Sequence, residues 1–269
     1  MKLHETYTLN NGLEIPKIGF GTAPLKGEEA YNAVLNAIKA GYRHIDTAQV
    51  YGNESDVGRA IKDSGIPREN LFITTKLDSR IKNYDDALDA FHASLKRLGL
   101  TYVDLYLIHA PWPFDDIGSV HNEGNVAVWK AFEELYEEGY AKAIGVSNFD
   151  VDDLQFLLPQ AVFQPAVNQI KRHIGFPQQA IETYCKNHGI LVEAYSPLGR
   201  GAFFDDATVL SYAQEHGVHP AQIALAYLLQ KDLLPLPRSK NPEHIKANGT
   251  IDFTLSDDAI DALDRLRFD

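Results

Sequence analysis

Leu71-Phe72-Ile73-Thr74-Thr75-Lys76, a helical stretch from Tyr84 to Leu98 closed by Gly99, then Val103-Asp104-Leu105-Tyr106-Leu107-Ile108-His109: this segment decides the fold. Two short apolar runs, each ending on a polar residue, flank an amphipathic helix. Tyr84, Leu88, Phe91, Leu95 and Leu98 follow one another in steps of four and three, so they line one helical face. Asn83 suits the N-cap, and Asp85 and Asp86 suit the positive end of the helix dipole. Gly99 is free to adopt the left-handed stop conformation. The segment therefore reads as a strand, a helix and a second strand.

Working outward, further strand ends fall near Gly21, Asp46, Lys76, His109, Ser147, Gln169, Tyr195 and Pro237, spaced 22 to 42 residues apart. Gly41, Gly65, Gly139, Gly189 and Gly217 close other helical stretches. Eight βα units in about 250 residues predict an α/β fold, a (β/α)8 TIM barrel. Two features lie outside the repeat. Thr6 to Ile15 reads as an N-terminal β-hairpin with an Asn11-Gly12 turn, suited to plugging the barrel floor. The span from Tyr195 to Pro237 has room for an extra loop and helix. With no linker or low-complexity tract, residues 1–269 are expected to form a single domain.

The bulk properties narrow the function. A net charge of −12 speaks against sequence-independent nucleic-acid binding, which needs a basic footprint. No apolar stretch approaches the ~20 residues of a membrane span, and the first residues lack the apolar core of a signal peptide. A cytoplasmic monomer, with neither nucleic acid nor membrane as partner, is the expectation. Cys185 is the single cysteine, which excludes a disulfide within the chain and reads as buried filler.

The chemistry sits at strand ends. Asp46, Lys76 and His109 each close an apolar run, and Tyr51 follows Asp46 by five residues in the turn Tyr51-Gly52-Asn53-Glu54. A parallel barrel gathers its reactive groups at the C-terminal ends of its strands. Taken singly, Asp46 reads as a turn cap, Tyr51 as a packed aromatic, Lys76 as a solvated cation and His109 as a core histidine. Together they make a proton donor. A phenol with pKa ~10 is a sluggish acid at neutral pH, and an ammonium within a few ångströms lowers that value. Lys76 supplies the charge, Asp46 holds it in place, and His109 orients the substrate oxygen. Such a set suits giving a proton to a carbonyl oxygen.

Gly41-Tyr42-Arg43-His44-Ile45-Asp46-Thr47-Ala48-Gln49-Val50-Tyr51-Gly52-Asn53-Glu54 resembles the leading signature of the aldo-keto reductases. Later segments agree in order: Ile144-Gly145-Val146-Ser147-Asn148-Phe149, Val167-Asn168-Gln169-Ile170 and Ala194-Tyr195-Ser196-Pro197-Leu198-Gly199. The resemblance runs from Ile18 to the helix beginning near Ser256 and is strongest to short prokaryotic members of the diketogluconate-reductase type. It implies reduction of aldehydes or ketones, with Tyr51 as acid and with hydride from NADPH. It implies that Ser147, Asn148 and Gln169 hold the nicotinamide carboxamide, that Tyr195 stacks under the ring, and that Ser196, Leu198 and Gly199 lie along the pyrophosphate. Thr22, Arg238, Ser239, His244 and Asn248 complete the implied cofactor contacts, and Ala23 and Trp112 the substrate pocket.

The chain also departs from that pattern. Arg238 stands where the family usually has Lys, His244 where it usually has Arg, and Ala247 where a Glu is common. An imidazole lacks the guanidinium's bidentate fork, so a weakened preference for NADPH is expected, with NADH open as a second cofactor. Ala110-Pro111 separates His109 from Trp112, and Ile170-Lys171-Arg172-His173-Ile174 lacks the usual Glu-Tyr-His-Pro. The chain stops at Phe268-Asp269, from which an open pocket and broad substrate tolerance are expected. Two other readings compete. His44, Asp46 and His109 could seed a metal-dependent hydrolase, but Ser147, Gln169 and Tyr195 at later strand ends are poor zinc ligands, and no metal is expected. A cofactor-bound regulatory subunit without turnover would not need the full tetrad.

Overall fold

The computed structural model describes residues 2–268. In chain order its strands are β1 (Thr6–Thr8), β2 (Glu14–Pro16), β3 (Gly19–Gly21), β4 (His44–Asp46), β5 (Phe72–Leu77), β6 (Leu105–Ile108), β7 (Ile144–Ser147), β8 (Val167–Lys171), β9 (Leu191–Tyr195) and β10 (Leu234–Leu236). The helices are α1 (Gly27–Ala40), α2 (Glu54–Asp63), α3 (Tyr84–Leu98), α4 (Asn122–Glu137), α5 (Val151–Leu157), α6 (Gln179–Asn187), α7 (Ala207–His216), α8 (Pro220–Gln230), α9 (Pro242–Gly249) and α10 (Asp257–Asp264). Strands β3 to β10 pair in sequence order, all parallel, as one eight-stranded sheet. Gly21 N donates to Pro237 O at 3.1 Å, linking the first strand of the sheet to the end of the last. The molecule is a TIM barrel, and α7 is the extra helix inserted between β9 and β10.

The local signals hold in detail. Asn83 Oδ1 accepts from Asp86 N at the start of α3, and Gly99 ends that helix with φ of 66°. The N-terminal hairpin forms, with Tyr7 opposite Ile15. Its turn spans five residues rather than two, because Leu9 N pairs with Leu13 O and Gly12 N with Leu9 O. Asn10 Nδ2 and Asn11 Nδ2 reach Pro165 O and Lys142 O, each at 2.9 Å, pinning the turn to the N-terminal approaches of β8 and β7. Leu9 and Ile15 then pack against Phe72, Leu105, Leu107, Val167, Leu234 and Leu236. Each such buried side chain contributes about 2 kcal/mol, so the hairpin is a floor for the barrel.

Side chains alternate across each strand, and this sorts the barrel into an inside and an outside. Ile45, Ile73, Tyr106, Ile108, Val146 and Ile170 join the core between sheet and helices. The intervening positions point inward. From the floor upward they pass from apolar residues through His44, Thr74 and Glu193 to a top layer of Asp46, Lys76, His109, Ser147, Gln169 and Tyr195. No helix among the described residues is long and apolar enough to cross a membrane.

Candidate active site

Lys76 lies fully buried at the top of β5 and spends its ammonium on three partners. Nζ donates to Asp46 Oδ1 at 2.7 Å, to Thr47 O at 2.9 Å and to Tyr51 Oη at 3.4 Å. Burial acts to discharge the ammonium. Asp46, Tyr51 and their hydrogen bonds outweigh it and raise its pKa above the ordinary 10.5. Asp46 is held from its other side by Gln169 Nε2, 2.9 Å from Oδ2. Asp46, Tyr51 and Lys76 thus come together at one place. No group of three or more potential metal ligands gathers among the described residues.

Tyr51 is fixed by its turn. Gly52, with φ of 66°, ends the short 3-10 turn Gln49–Tyr51. Thr47 Oγ1 donates to Asn53 Oδ1 at 2.6 Å, and Asn53 Nδ2 donates to Leu25 O at 2.8 Å. Gln49 bridges Ala90 O and Asp78 N. Buried Glu54 accepts from Thr75 Oγ1 and Arg97 Nε, each at 2.7 Å. One feature differs from the sequence expectation. Burial raises the phenol above its ordinary pKa of 10, and Lys76 recovers only part of that rise. The expected net acidification is absent because desolvation of the phenolate exceeds the attraction of the one cation, with Asp46 opposing as well.

His109 is buried, its ring centroid 5.5 Å from that of Tyr51 and edge-on to it. Burial first, then the Lys76 charge, hold the imidazole well below its ordinary pKa. It is therefore neutral at physiological pH and carries one N–H. Its Nδ1 is buried without a partner among the described residues.

A cavity of about 690 Å³ opens over this layer. Of the residues singled out from the sequence, Ala23, Asp46, Tyr51, His109, Ser147, Asn148, Gln169, Tyr195, Ser196, Leu198 and Arg238 line it. Thr22 is buried and its Oγ1 is spent on Asp46 O. Gly199, Ser239, His244 and Asn248 are not among the lining residues; Asn248 is buried, and His244 is exposed. A Cβ at Gly199 would meet Phe203 Cε1 at 2.9 Å and His173 Nδ1 at 3.0 Å, so the protein's own packing requires glycine there. Trp112 stands behind Phe114, ring to ring at 5.8 Å, and Phe114 in turn packs against His109 at 4.9 Å.

The polar end of the cavity is already knit together. Tyr195 Oη donates to Asn148 Oδ1 at 2.8 Å. Asn148 Nδ2 donates to His109 O and Ser147 Oγ, and Ser147 Oγ donates to Gln169 O. Asn148 takes a left-handed backbone with φ of 60°. Neither it nor Ser147 caps the next helix: Asp150 does, in a capping box with Asp153.

Residues 17–267 match the model of the Aldo/keto reductase family. The chain belongs to the aldo/keto reductase family. It is 42% identical to a glyoxal reductase of Bacillus subtilis over 269 residues, covering 99% of this chain and 94% of that one. It is 43% identical to a glycerol 2-dehydrogenase (NADP(+)) of Saccharomyces cerevisiae, covering 96% and 89%. The crystal structure of a Bombyx mori aldo-keto reductase in complex with NADP superposes with a TM-score of 0.89 at 35% identity, covering 97% and 92%.

In this aldo/keto reductase, Pro24, Phe114, Arg200, Gly201, Phe204 and Leu236 also line the cavity, beyond the residues expected from the sequence. Phe114 carried a weak signal, an aromatic five residues past a strand-end histidine. Leu236 was marked by alternation along β10. Arg200 and Phe204 lie in irregular chain after β9, where no period says which side chains turn inward.

Proposed function

We propose that this chain is an oxidoreductase that reduces aldehyde or ketone carbonyls to alcohols, with NADPH as preferred cofactor and Tyr51 as general acid. The observation that carries this reading is the continuous chain from Tyr51 Oη through Lys76 Nζ to Asp46, opening on one cavity with a neutral histidine beside it. The raised phenol pKa keeps Tyr51 protonated, the state a donor needs before reaction. As the proton leaves for the carbonyl oxygen, charge develops on Oη, and the Lys76 ammonium offsets it in a water-poor site. Asp46 keeps that ammonium charged and fixed. The single N–H of neutral His109 is suited to the same oxygen, orienting it toward Oη.

The residues fit a nicotinamide dinucleotide. A cavity of this volume is in the usual range for small-molecule sites. Arg200 and Arg238 border it with guanidinium groups suited to phosphate. The Tyr195 ring is clamped through its hydroxyl to Asn148 and offers a flat face for stacking. Gln169 spends both N–H groups on Asp46 and Glu193, which leaves its oxygen as an acceptor for an amide. When bound, the reduced cofactor supplies hydride to the carbonyl carbon. The NADP named for the yeast and silkworm relatives supports the choice of dinucleotide.

Preference for the phosphorylated form would rest on Arg238 and Ser239, and three features weaken it. His244 is exposed and lacks a fork. Lys240 Nζ is paired with Glu29 at 3.3 Å. The backbone N–H groups of Glu243 and His244 at the start of α9 already face Asn241 Oδ1. All of these residues belong to one chain, so a monomer suffices for the reaction.

The test is a panel of small aldehydes, dicarbonyls and diketo acids, followed through loss of reduced-nicotinamide absorbance with NADPH and NADH. A higher kcat/KM with NADPH is expected for at least one carbonyl. No turnover with any member defeats the assignment, and equal efficiency with both cofactors defeats the preference.

A further inference from the structure

Beneath the tetrad the barrel holds a second carboxyl group that the reaction does not use. Glu193 points inward from β9, two residues before Tyr195, and is fully buried. Its Oε2 accepts one hydrogen bond, from Gln169 Nε2 at 2.7 Å, and its Oε1 has no partner among the described residues. The same Gln169 Nε2 donates to Asp46 Oδ2 at 2.9 Å. One amide therefore bridges two carboxyl groups, one in the tetrad and one below it.

Among the described residues, few charges face Glu193. Across the barrel on β4 stand Asp46 and His44, whose Nε2 lies 4.0 Å from Glu193 Oε1. On β5 stands Lys76. Its neighbours in register on β8 and β10 are Gln169 and Leu234. Lys76 has no donor to spare, since its three bonds go to Asp46, Thr47 and Tyr51. His44 turns its Nε2 to Thr74 Oγ1 at 2.9 Å. Its Nδ1 lies so close to Gly19 that a Cβ there would sit 2.6 Å away. A carboxylate accepting one neutral N–H, with a second carboxylate across the bridge, lacks the donors that stabilise a buried anion.

We propose that Glu193 is a positioning residue, an uncharged carboxylic acid that anchors the Gln169 side chain and leaves Asp46, among the described residues, as the only carboxylate charge facing Lys76. The direction of titration agrees. Burial, followed by repulsion from Asp46, pushes Glu193 up to about 8. Burial and the Lys76 charge push His44 down to about 3. Both are therefore neutral near pH 7. Below about 8 the protonated acid holds Gln169 with its oxygen toward the cavity. Above it, a new negative charge competes with Asp46 for the amide bridge and opposes charge on Tyr51.

This inference rests on the carbonyl-reductase reading, and the experiment separates the two. The pH dependence of kcat/KM is measured with glyoxal and NADPH for the wild type, Glu193→Gln and Glu193→Leu. From pH 7 to pH 9 the protonated fraction of a group with pKa near 8 falls about tenfold, so the wild type should lose about tenfold. Glu193→Gln, neutral at every pH and still able to accept from Gln169, should flatten that limb. Glu193→Leu should raise KM for NADPH, because Gln169 loses its anchor. Independently of turnover, infrared titration of the wild type should show a protonated-carboxyl C=O band that disappears as pH passes about 8, absent in Glu193→Gln. Asp153, pushed up to about 6, titrates earlier. An unchanged alkaline limb in Glu193→Gln, or no carboxyl band titrating near 8, overturns the proposal, and the wild-type spectrum decides it even if both variants fail to fold. Absence of turnover in the wild type would sink the carbonyl-reductase reading and leave the infrared result to judge Glu193.

Discussion

Two loops at the cavity rim are built in opposite ways. The turn after β4, Thr47 to Asn53, is tied to the body of the protein by buried side chains: Thr47 to Asn53, Asn53 to Leu25, Gln49 to Ala90 and Asp78. The loop after β6 is hydrogen-bonded to the body of the protein at its root, where Lys82 Nζ holds Ala110 O and Asn125 Nδ2 holds Pro111 O. Beyond Pro111 its hydrogen bonds, among the described residues, run within the loop, from Asp116 to Pro113, Ser119 to Asp116 and His121 to Ser119. There Phe114, Ile117 and Val120 are 43%, 71% and 80% exposed. Under the proposed reaction the contrast divides the labour. Proton transfer needs a donor held to fractions of an ångström, whereas selection among carbonyls needs an apolar surface that adapts and changes readily.

The largest effect should come from the fixed turn. Tyr51→Phe removes one oxygen and is expected to lower kcat about 10³-fold, within the range for a general acid, with NADPH binding retained in a fluorescence titration. Turnover within threefold of wild type would end the mechanism. Next, Asn53→Ala leaves Thr47 Oγ1 and Leu25 O without their partner. A loss of about 2–3 kcal/mol in urea unfolding is expected, along with a fall in kcat as Tyr51 drifts. A variant of full stability and activity would show that the turn is not latched.

Acid should expose the same buried layer. His44, near 3, and His109, well below its ordinary value, stay neutral when folded and gain a proton when unfolded. The unfolded chain thus binds more protons below pH 6.5, and their contribution, full above that value, is lost as pH falls toward the folded pKa values. Each group contributes a slope of up to about 1.4 kcal/mol per pH unit. Thermal midpoints should fall between pH 6.5 and 5, less steeply in His109→Gln; parallel slopes would remove His109 from the account. Smallest is the free loop. Phe114→Ala should raise KM for an aromatic aldehyde about fivefold, in keeping with lost apolar contact worth about 1 kcal/mol. Stability should stay within about 0.5 kcal/mol. An unfolding shift larger than the KM effect would mean the loop is structural.

Much of this was written in periodicity. Four inferred strand ends, Gly21, Asp46, Ser147 and Tyr195, are where the strands stop, and α3 spans the residues its steps of four and three enclosed. Tyr51, Lys76, Asp46 and His109 were legible because strand ends in a parallel barrel converge. Glu193 is within reach of the same rule, two residues before Tyr195 on one face, but it stands in an apolar run below the strand end, where the rule places no reactive group. Phe114 and Phe204 were hidden because nothing in a loop's residue order tells which side chain turns to the cavity.

The order of apolar and polar residues, by itself, determined an eight-fold βα barrel and which polar side chains stand at its mouth, since short-range periodicity fixes strands, helices and their faces. Only the tertiary structure decided the balance of charge: that burial outweighs Lys76 at the Tyr51 phenol, and that one Gln169 amide bridges Asp46 and Glu193. Desolvation and hydrogen-bond partners are properties of the packed interior, assembled from strands far apart in the chain, and no local stretch of sequence carries them.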